Sequence, residues 1–279
     1  MRRTLTGLCV VVMCAAAVFA QPKQPKPKSQ KELDALIAVQ NAATPDERVK
    51  AIENVLTKFA DTEFKSGLLM MAAATYQQKG DAENMIVYAE RTLEADPHSY
   101  QAMLMLGSGY ATRTREFDLD KEDKLAKAEG YAKKAMTELQ TAEKPRADLT
   151  DEQWAAAKKQ LEAQAHEVLG TSAMVRKKYD VAIKEYDTAL KTDPTPDTTT
   201  MVRLASAYNA NNQPDLALPL CEKVMASADA PAQVKSVAQA ERVRATQIKQ
   251  KNAGGGAAAP APKPAGSAPA GPEPQPVKP

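Results

Sequence analysis

The sequence predicts an all-α protein, a solenoid of stacked helix–turn–helix units closed by a C-terminal capping helix. Three observations carry that expectation. The chain is 43% hydrophobic but only 5% aromatic, with one Trp in 279 residues, and it is rich in Ala. That composition suits closely packed helices and disfavours a β-sandwich or barrel. Residues 31–251 show helical apolar spacing and no sustained alternation of the strand kind. Short motifs also recur: Thr92-Leu93-Glu94-Ala95-Asp96-Pro97 is echoed by Ala189-Leu190-Lys191-Thr192-Asp193-Pro194, and Leu106-Gly107 by Leu169-Gly170.

The elements follow in chain order. Met1-Arg2-Arg3 precedes an apolar run, Leu5 to Phe19, that ends Ala17-Val18-Phe19-Ala20. Residues 1–20 read as a secretory signal peptide cut after Ala20; the run falls short of the roughly 20 residues needed to span a bilayer. Met13 before Cys14 and Leu8 before Cys9 do not fit a lipoprotein site. Removal takes Cys9 and Cys14, so Cys221 is left without an internal disulfide partner and is expected as a buried small hydrophobe. Residues 21–30 form a Pro/Lys linker, 31–251 the helical body, and 252–279 a Pro/Ala/Gly-rich tail that cannot bury a core and is expected to be a disordered spacer.

Within the body, helix starts are marked by capping signals. Ser29 with Glu32 predicts a capping box, as do Thr44-Pro45-Asp46-Glu47 and Thr150 with Gln153. The last opens a long helix through Trp154, Leu161 and Leu169. Val49, Ile52, Leu56 and Phe59 share one face of the second helix. Stops fall at Lys79-Gly80-Asp81, Asp96-Pro97, Asp193-Pro194 and Asn211-Asn212-Gln213-Pro214. The clearest unit runs from about Ala163 to Pro196. Leu169-Gly170 lies on its first helix, Tyr179 in the turn, and Ala182, Tyr186, Ala189 and Leu190 on the inner face of its second helix.

This pattern resembles the tetratricopeptide repeat, in which Leu-Gly marks the first helix, and a small Ala, an aromatic and a terminal Pro mark the second. Five units are expected, at about 29–62, 66–99, 100–142, 163–196 and 198–231, followed by a capping helix at 232–250. The third is stretched by roughly nine extra residues around Thr112–Leu125, and the linker Thr141–Leu149 leaves open a bend near residue 145. The resemblance implies a right-handed solenoid whose first helices line a concave groove for a peptide or partner helix. Carried over residue by residue, the groove positions are Met70, Ala74 and Gln77; Leu104, Ser108 and Ala111; Glu167, Thr171 and Met174; and Val202, Ser206 and Asn209. Of the Lys, Arg and Asn with which similar proteins grip a C-terminal carboxylate, only Asn209 has a counterpart here. An apolar peptide or helix face is the expected ligand, with Met supplying adaptability.

Little in the sequence points to other chemistry. Lys plus Arg number 37 and Asp plus Glu 35, and loss of Arg2 and Arg3 balances them, so no global field steers the chain to nucleic acid. Membrane insertion is not expected once the signal is removed. Two His and three Cys argue against a multi-ligand zinc or haem site, and no nucleophile elbow, zincin or P-loop motif occurs. His166 is expected as a half-buried core side chain and His98 as an exposed turn residue. Asp118, Asp120, Glu122 and Glu129 have the spacing of a calcium loop, but Asp123 stands where its Gly belongs. The sequence therefore predicts a non-catalytic exported scaffold without a cofactor. It would be periplasmic or fully secreted and bind a protein or peptide in cell-envelope assembly. The alternatives are metal binding or catalysis at the acidic insertion near 118–129, and self-association through the open solenoid end.

Overall fold

Capping chemistry sets the helix boundaries. The computed structural model describes residues 25–146 and 148–254. The predicted signal peptide, the first four residues of the predicted linker and the predicted tail beyond Gly254 lie outside the described residues. Eleven helices occur among the described residues, with no strand. They are α1 (Gln30–Gln40), α2 (Pro45–Lys58), α3 (Lys65–Gln78), α4 (Ala82–Ala95), α5 (Tyr100–Arg113), α6 (Lys121–Thr141), α7 (Asp151–Val175), α8 (Tyr179–Thr192), α9 (Thr198–Ala210), α10 (Pro214–Ala226) and α11 (Ala232–Gly254). These pairs are the helix–turn–helix repeats of an α-solenoid, and α11 runs four residues beyond the predicted capping helix.

Two of the three predicted capping boxes form as expected. Thr44 Oγ1 accepts the Glu47 N–H, and Glu47 returns its carboxylate to the Thr44 N–H. Thr150 and Gln153 do the same at 3.2 and 2.9 Å. The box at Ser29 is only half made. Ser29 Oγ accepts the Glu32 N–H, but the Glu32 carboxylate turns to the Lys28 N–H and to the Thr62 hydroxyl. That tertiary partner lies 30 residues away, so the local pattern could not foresee it.

The turns that join first to second helices share one device. Each of the α3–α4, α7–α8 and α9–α10 turns has three residues, and the middle one is left-handed: Gly80 (φ 72°), Lys177 (φ 60°) and Asn212 (φ 56°). The next N–H then reaches back into the closing helix, from Asp81 to Tyr76 O, Lys178 to Ala173 O and Gln213 to Tyr208 O, at 2.8–3.0 Å. These bonds satisfy carbonyls that the helix end would otherwise strand. Tyr179 accordingly opens α8 and does not lie in the turn.

The chain forms two compact units, divided at Gly109–Tyr110 inside α5. The linker near residue 145 is not the boundary: α6 and α7 lie in the same unit and pack together. In the first unit α1 packs on α2, α2 on α3 and α3 on α4. Tyr88 and Arg91 of α4 both donate to Glu53 Oε1 of α2, at 2.6 and 2.8 Å. Burial alone would raise the Glu53 pKa, but these two bonds and the Arg91 charge outweigh it and hold the carboxyl below its ordinary range.

In the second unit each helix from α6 to α11 packs on the next, and α11 also lies against α9. Small residues line the seams. Ala182, Ala189, Ala205, Ala207 and Ala217 are all buried, and Gly170 meets the Tyr186 ring so closely that a Cβ would stand 2.7 Å from Cε1. Tyr186 is itself buried and donates to or accepts from Thr171 Oγ1 at 3.0 Å. Trp154 closes the lengthened start of α7, with its Nε1 donating to Ala142 O.

Two substitutions test these features. Gly170→Ala gains helix propensity but forces the buried Tyr186 ring aside, so a net loss of about 1 kcal/mol is expected in urea unfolding. Lys177→Gly relieves a left-handed non-glycine residue and should add about 1 kcal/mol in the same measurement, because its exposed ion pair with Glu116 contributes little.

Candidate functional site

In the first unit, α1 and α3 leave apolar side chains uncovered. Leu33 and Ile37, one turn apart on α1, and Met71 on α3 are each more than a third exposed. With Leu36, Phe64 and Leu68 they line a groove of about 400 Å³. Gly67 lies in the same lining, and a Cβ there would meet nothing within 4 Å. A partner side chain therefore has room at that point.

One side of the groove comes from residues expected to be linker. Pro25 and Pro27 line it, and the segment between is pinned. The Lys26 N–H donates to Glu63 Oε2 at 3.1 Å, and Lys28 Nζ donates to Asp61 O and Oδ2 at 2.6 and 2.7 Å. The Lys28 N–H also donates to Glu32, whose side chain is buried and bonded to Thr62. The Lys28 pair is exposed, so position matters more than strength here: it fixes two prolines that would otherwise be unrestrained.

The twelve carried-over groove positions fall into distinct environments. Met70 and Ala74 are half-buried and Gln77 is exposed; none of the three lines the groove, although Ala74 lies two turns from Gly67 on the same face of α3. Ser108 and Ser206 are half-buried. Leu104 and Ala111 are buried. Val202 packs with Val224 and with Ala238 of α11. Asn209 is buried too, its Nδ2 donating to both O and Oε2 of Glu241 on α11, which occupies the amide that a carboxylate clamp would need. Met174 packs on the Ala173–Tyr186 cluster, and Thr171 bonds Tyr186. Glu167 accepts from Thr200 Oγ1 at 2.6 Å and Arg203 Nη1 at 2.7 Å, joining α7 to α9. Burial raises the Glu167 pKa, against the opposing pull of those two donors. Four of the twelve thus lie in packed interior. Val202 and Asn209 are covered by α11, a contribution that no single repeat encodes. Leu33 and Ile37 escaped the sequence reading because the first repeat is degenerate, though they show the one-turn spacing that could have found them; Gly67, in the second repeat, carried no signal of its own.

The acidic insertion is organised around cations. Lys124 Nζ lies 3.6 Å from Asp118 and 2.9 Å from Asp120. Arg176 pairs with Glu122 at 2.7 Å and also with Glu129. The calcium spacing therefore does not produce four carboxylates converging on one centre; they divide between two side-chain cations. No cluster of three or more His, Cys, Asp or Glu suited to a metal occurs among the described residues. His166 Nδ1 meets Glu185 Oε2 at 2.7 Å, half-buried between α7 and α8. Cys221 is buried among Ala205, Ala217 and Ala245, and burial, with the charge of Glu241, pushes its thiol up to about 11. No described helix is long and apolar enough to cross a membrane.

Comparison with known proteins agrees with this architecture. Residues 66–99 match the tetratricopeptide repeat, which spans α3 and α4. No curated protein matches the chain. Among solved structures, a thermophilic tetratricopeptide protein of Thermus thermophilus, TTC0263, is 19% identical over 78% of this chain and 99% of its own, with a TM-score of 0.50. The MamA protein is 15% identical over 80% and 94%, with a TM-score of 0.47. A tetratricopeptide repeat protein from Parabacteroides merdae is 12% identical over 81% and 93%, at 0.41. At these identities the likeness is one of fold. Tetratricopeptide folds are generally non-catalytic scaffolds for protein–protein interaction.

Two measurements check the electrostatics. Glu167 has its folded pKa raised above the unfolded one, so its contribution to stability is fully present below the unfolded value and is lost as pH rises through the folded value. Wild type should therefore lose stability relative to Glu167→Gln as pH climbs from about 4 to about 8 in parallel urea titrations, with the difference flat at the acid end. Cys221 should resist a thiol-specific chromogenic reagent at about pH 8 in the native protein and react fully in denaturant.

Proposed function

We propose that this chain is an exported, non-catalytic scaffold that binds a partner protein through the apolar groove between α1 and α3. The observation that carries the reading is the groove itself: three apolar side chains are left uncovered around Gly67, beside a segment held by specific hydrogen bonds. Isolated exposed apolar residues are ordinary, but a contiguous lined groove is the usual form of a helix- or peptide-binding site. An amphipathic helix with apolar residues one turn apart suits it best, and Met71 can adapt to several such faces. The half-buried and exposed positions Met70, Ala74 and Gln77 extend the surface along α3.

Export is proposed from residues 1–20, and a place in cell-envelope assembly follows from it. The periplasm is favoured over full secretion as the destination. The chain recovered from its native compartment should begin at Gln21 by N-terminal sequencing; a start at Met1 would refute removal of the leader.

The groove is tested by crosslinking capture from native envelope extract, comparing residues 21–279 with the same chain carrying Gly67→Trp or Ile37→Glu. Position 67 has open space around it and Ile37 is exposed, so circular dichroism should show unchanged helicity for both. A partner held by the parent and reduced at least tenfold by each variant supports the reading. Equal capture by all three would place the partner elsewhere.

A further inference from the structure

One buried carboxylate stands where the walls of the α1–α3 groove meet. Glu32 lies in the first turn of α1, next to the groove residue Leu33, and is 1% exposed. Its two oxygens serve different segments. Oε2 accepts the Lys28 N–H at 2.6 Å, and Oε1 accepts the Thr62 hydroxyl at 2.7 Å. Thr62 Oγ1 in turn accepts the Phe64 N–H at 3.2 Å. The Lys28 amide directly follows Pro27, and Phe64 is the N-cap residue of α3. Pro27 and Phe64 both line the groove. A single side chain on α1 thus reaches the proline wall on one side and the head of α3 on the other.

Packing does not account for this carboxylate. The Lys28 ammonium is committed to Asp61 O and Oδ2, so Glu32 is held by an amide and a hydroxyl rather than by an ion pair. Taking a carboxylate out of water is costly, and well-packed apolar residues commonly replace buried ionic groups without loss of stability. A carboxylate offers what an apolar residue cannot, two acceptor oxygens in a fixed fork. The capping pattern does not demand this arrangement either. Three residues after Ser29, a Glu ordinarily returns its carboxylate to the N-cap N–H, whereas Glu32 turns to Lys28 and Thr62.

The other ties of the proline segment are more open to solvent. The Lys26 N–H bond to Glu63 and the Lys28–Asp61 pair are both exposed, and the Asp61 side chain is 82% exposed. Water and salt compete for such contacts. The Glu32–Thr62 bond is buried and the Glu32–Lys28 bond partly so, and hydrogen bonds sheltered in this way are electrostatically stronger.

Resting on the groove as the binding site, we propose that Glu32 is its positioning residue. The carboxylate sets the proline wall through the Lys28 N–H and the Phe64 wall through Thr62, and the groove holds its partner only while both bonds are made.

The test follows individual backbone amides by hydrogen exchange in NMR, on the full chain and on Glu32→Ala, Thr62→Val and Thr62→Ser. Glu32→Ala should speed exchange of the Lys28 and Phe64 amides about tenfold or more. Thr62→Val should do so at Phe64, whose acceptor it removes, and Thr62→Ser, which keeps the hydroxyl, should exchange as the parent does. Amides at helix ends of the same unit, Lys79 bonded to Thr75 O and Asp96 bonded to Thr92 O, should keep their parent rates. A merely structural role predicts acceleration throughout α1–α4 in the folded variants, and that result overturns the proposal. Unchanged rates at Lys28 and Phe64 in Glu32→Ala overturn it as well. If Glu32→Ala does not fold, Thr62→Val and Thr62→Ser carry the same decision, because Val keeps the shape of Thr. Crosslinking capture from native envelope extract is then read beside Gly67→Trp. The crosslinked species that the parent holds and Gly67→Trp loses should fall at least tenfold in Glu32→Ala and Thr62→Val and persist in Thr62→Ser. A species kept by Glu32→Ala but lost by Gly67→Trp overturns the positioning role and leaves the groove as the site. Capture that Gly67→Trp does not change overturns both.

Discussion

Closeness between paired helices is the constraint on which the remaining structure depends. Three of the pairs are joined by three-residue turns too short to let their helices separate, and all three use the same left-handed closure, at Gly80, Lys177 and Asn212. Helices held that tightly can pack only if the residues between them are small. Ala182, Ala189, Ala205 and Ala217 meet that demand, and at Gly170 the Tyr186 ring sits where even a methyl group would collide. Because the seam consumes the small residues, each pair must bury its larger apolar groups against the next pair, and stacking becomes obligatory.

Stacking in turn determines where polar groups can go. Glu53 with Tyr88 and Arg91 joins successive second helices, and Glu167 with Thr200 and Arg203 joins successive first helices. In both, a partly buried carboxylate accepts from a hydroxyl and a guanidinium. The balance differs: the donors outweigh burial at Glu53, while burial outweighs them at Glu167. Similar ligation thus yields opposite pKa shifts, because the cost of removing a charge from water depends on how deeply it is buried. At the insertion the same chemistry serves placement, with Arg176 and Lys177 clasping the loop that presents Phe117 and Leu119.

The two apolar surfaces differ in kind. The groove of the first unit is concave, formed between α1 and α3 and flanked by a pinned proline segment, so it can receive a partner's side chains. Phe117 and Leu119, by contrast, stand almost fully exposed in the segment between α5 and α6.

Helix existence and kind were legible from the sequence because they are local properties. Thr44 with Glu47 and Thr150 with Gln153 encode their own caps, and Gly80 and Asn212 mark turns through their conformational tolerance. The Leu-Gly and Ala-aromatic spacings also revealed the repeat, since a close seam leaves a compositional trace. What only the tertiary structure decided involves partners distant in sequence. Lys177 adopts the left-handed form without any residue signal for it. Glu32 abandons its capping box for Thr62, 30 residues away, and so orders the proline segment beside the groove. Asn209 and Val202 sit where a repeat pattern expects an open face, but α11 covers them. A sequence motif specifies which way a side chain points relative to its own helix; whether that direction meets water or another helix is settled only when the helices pack.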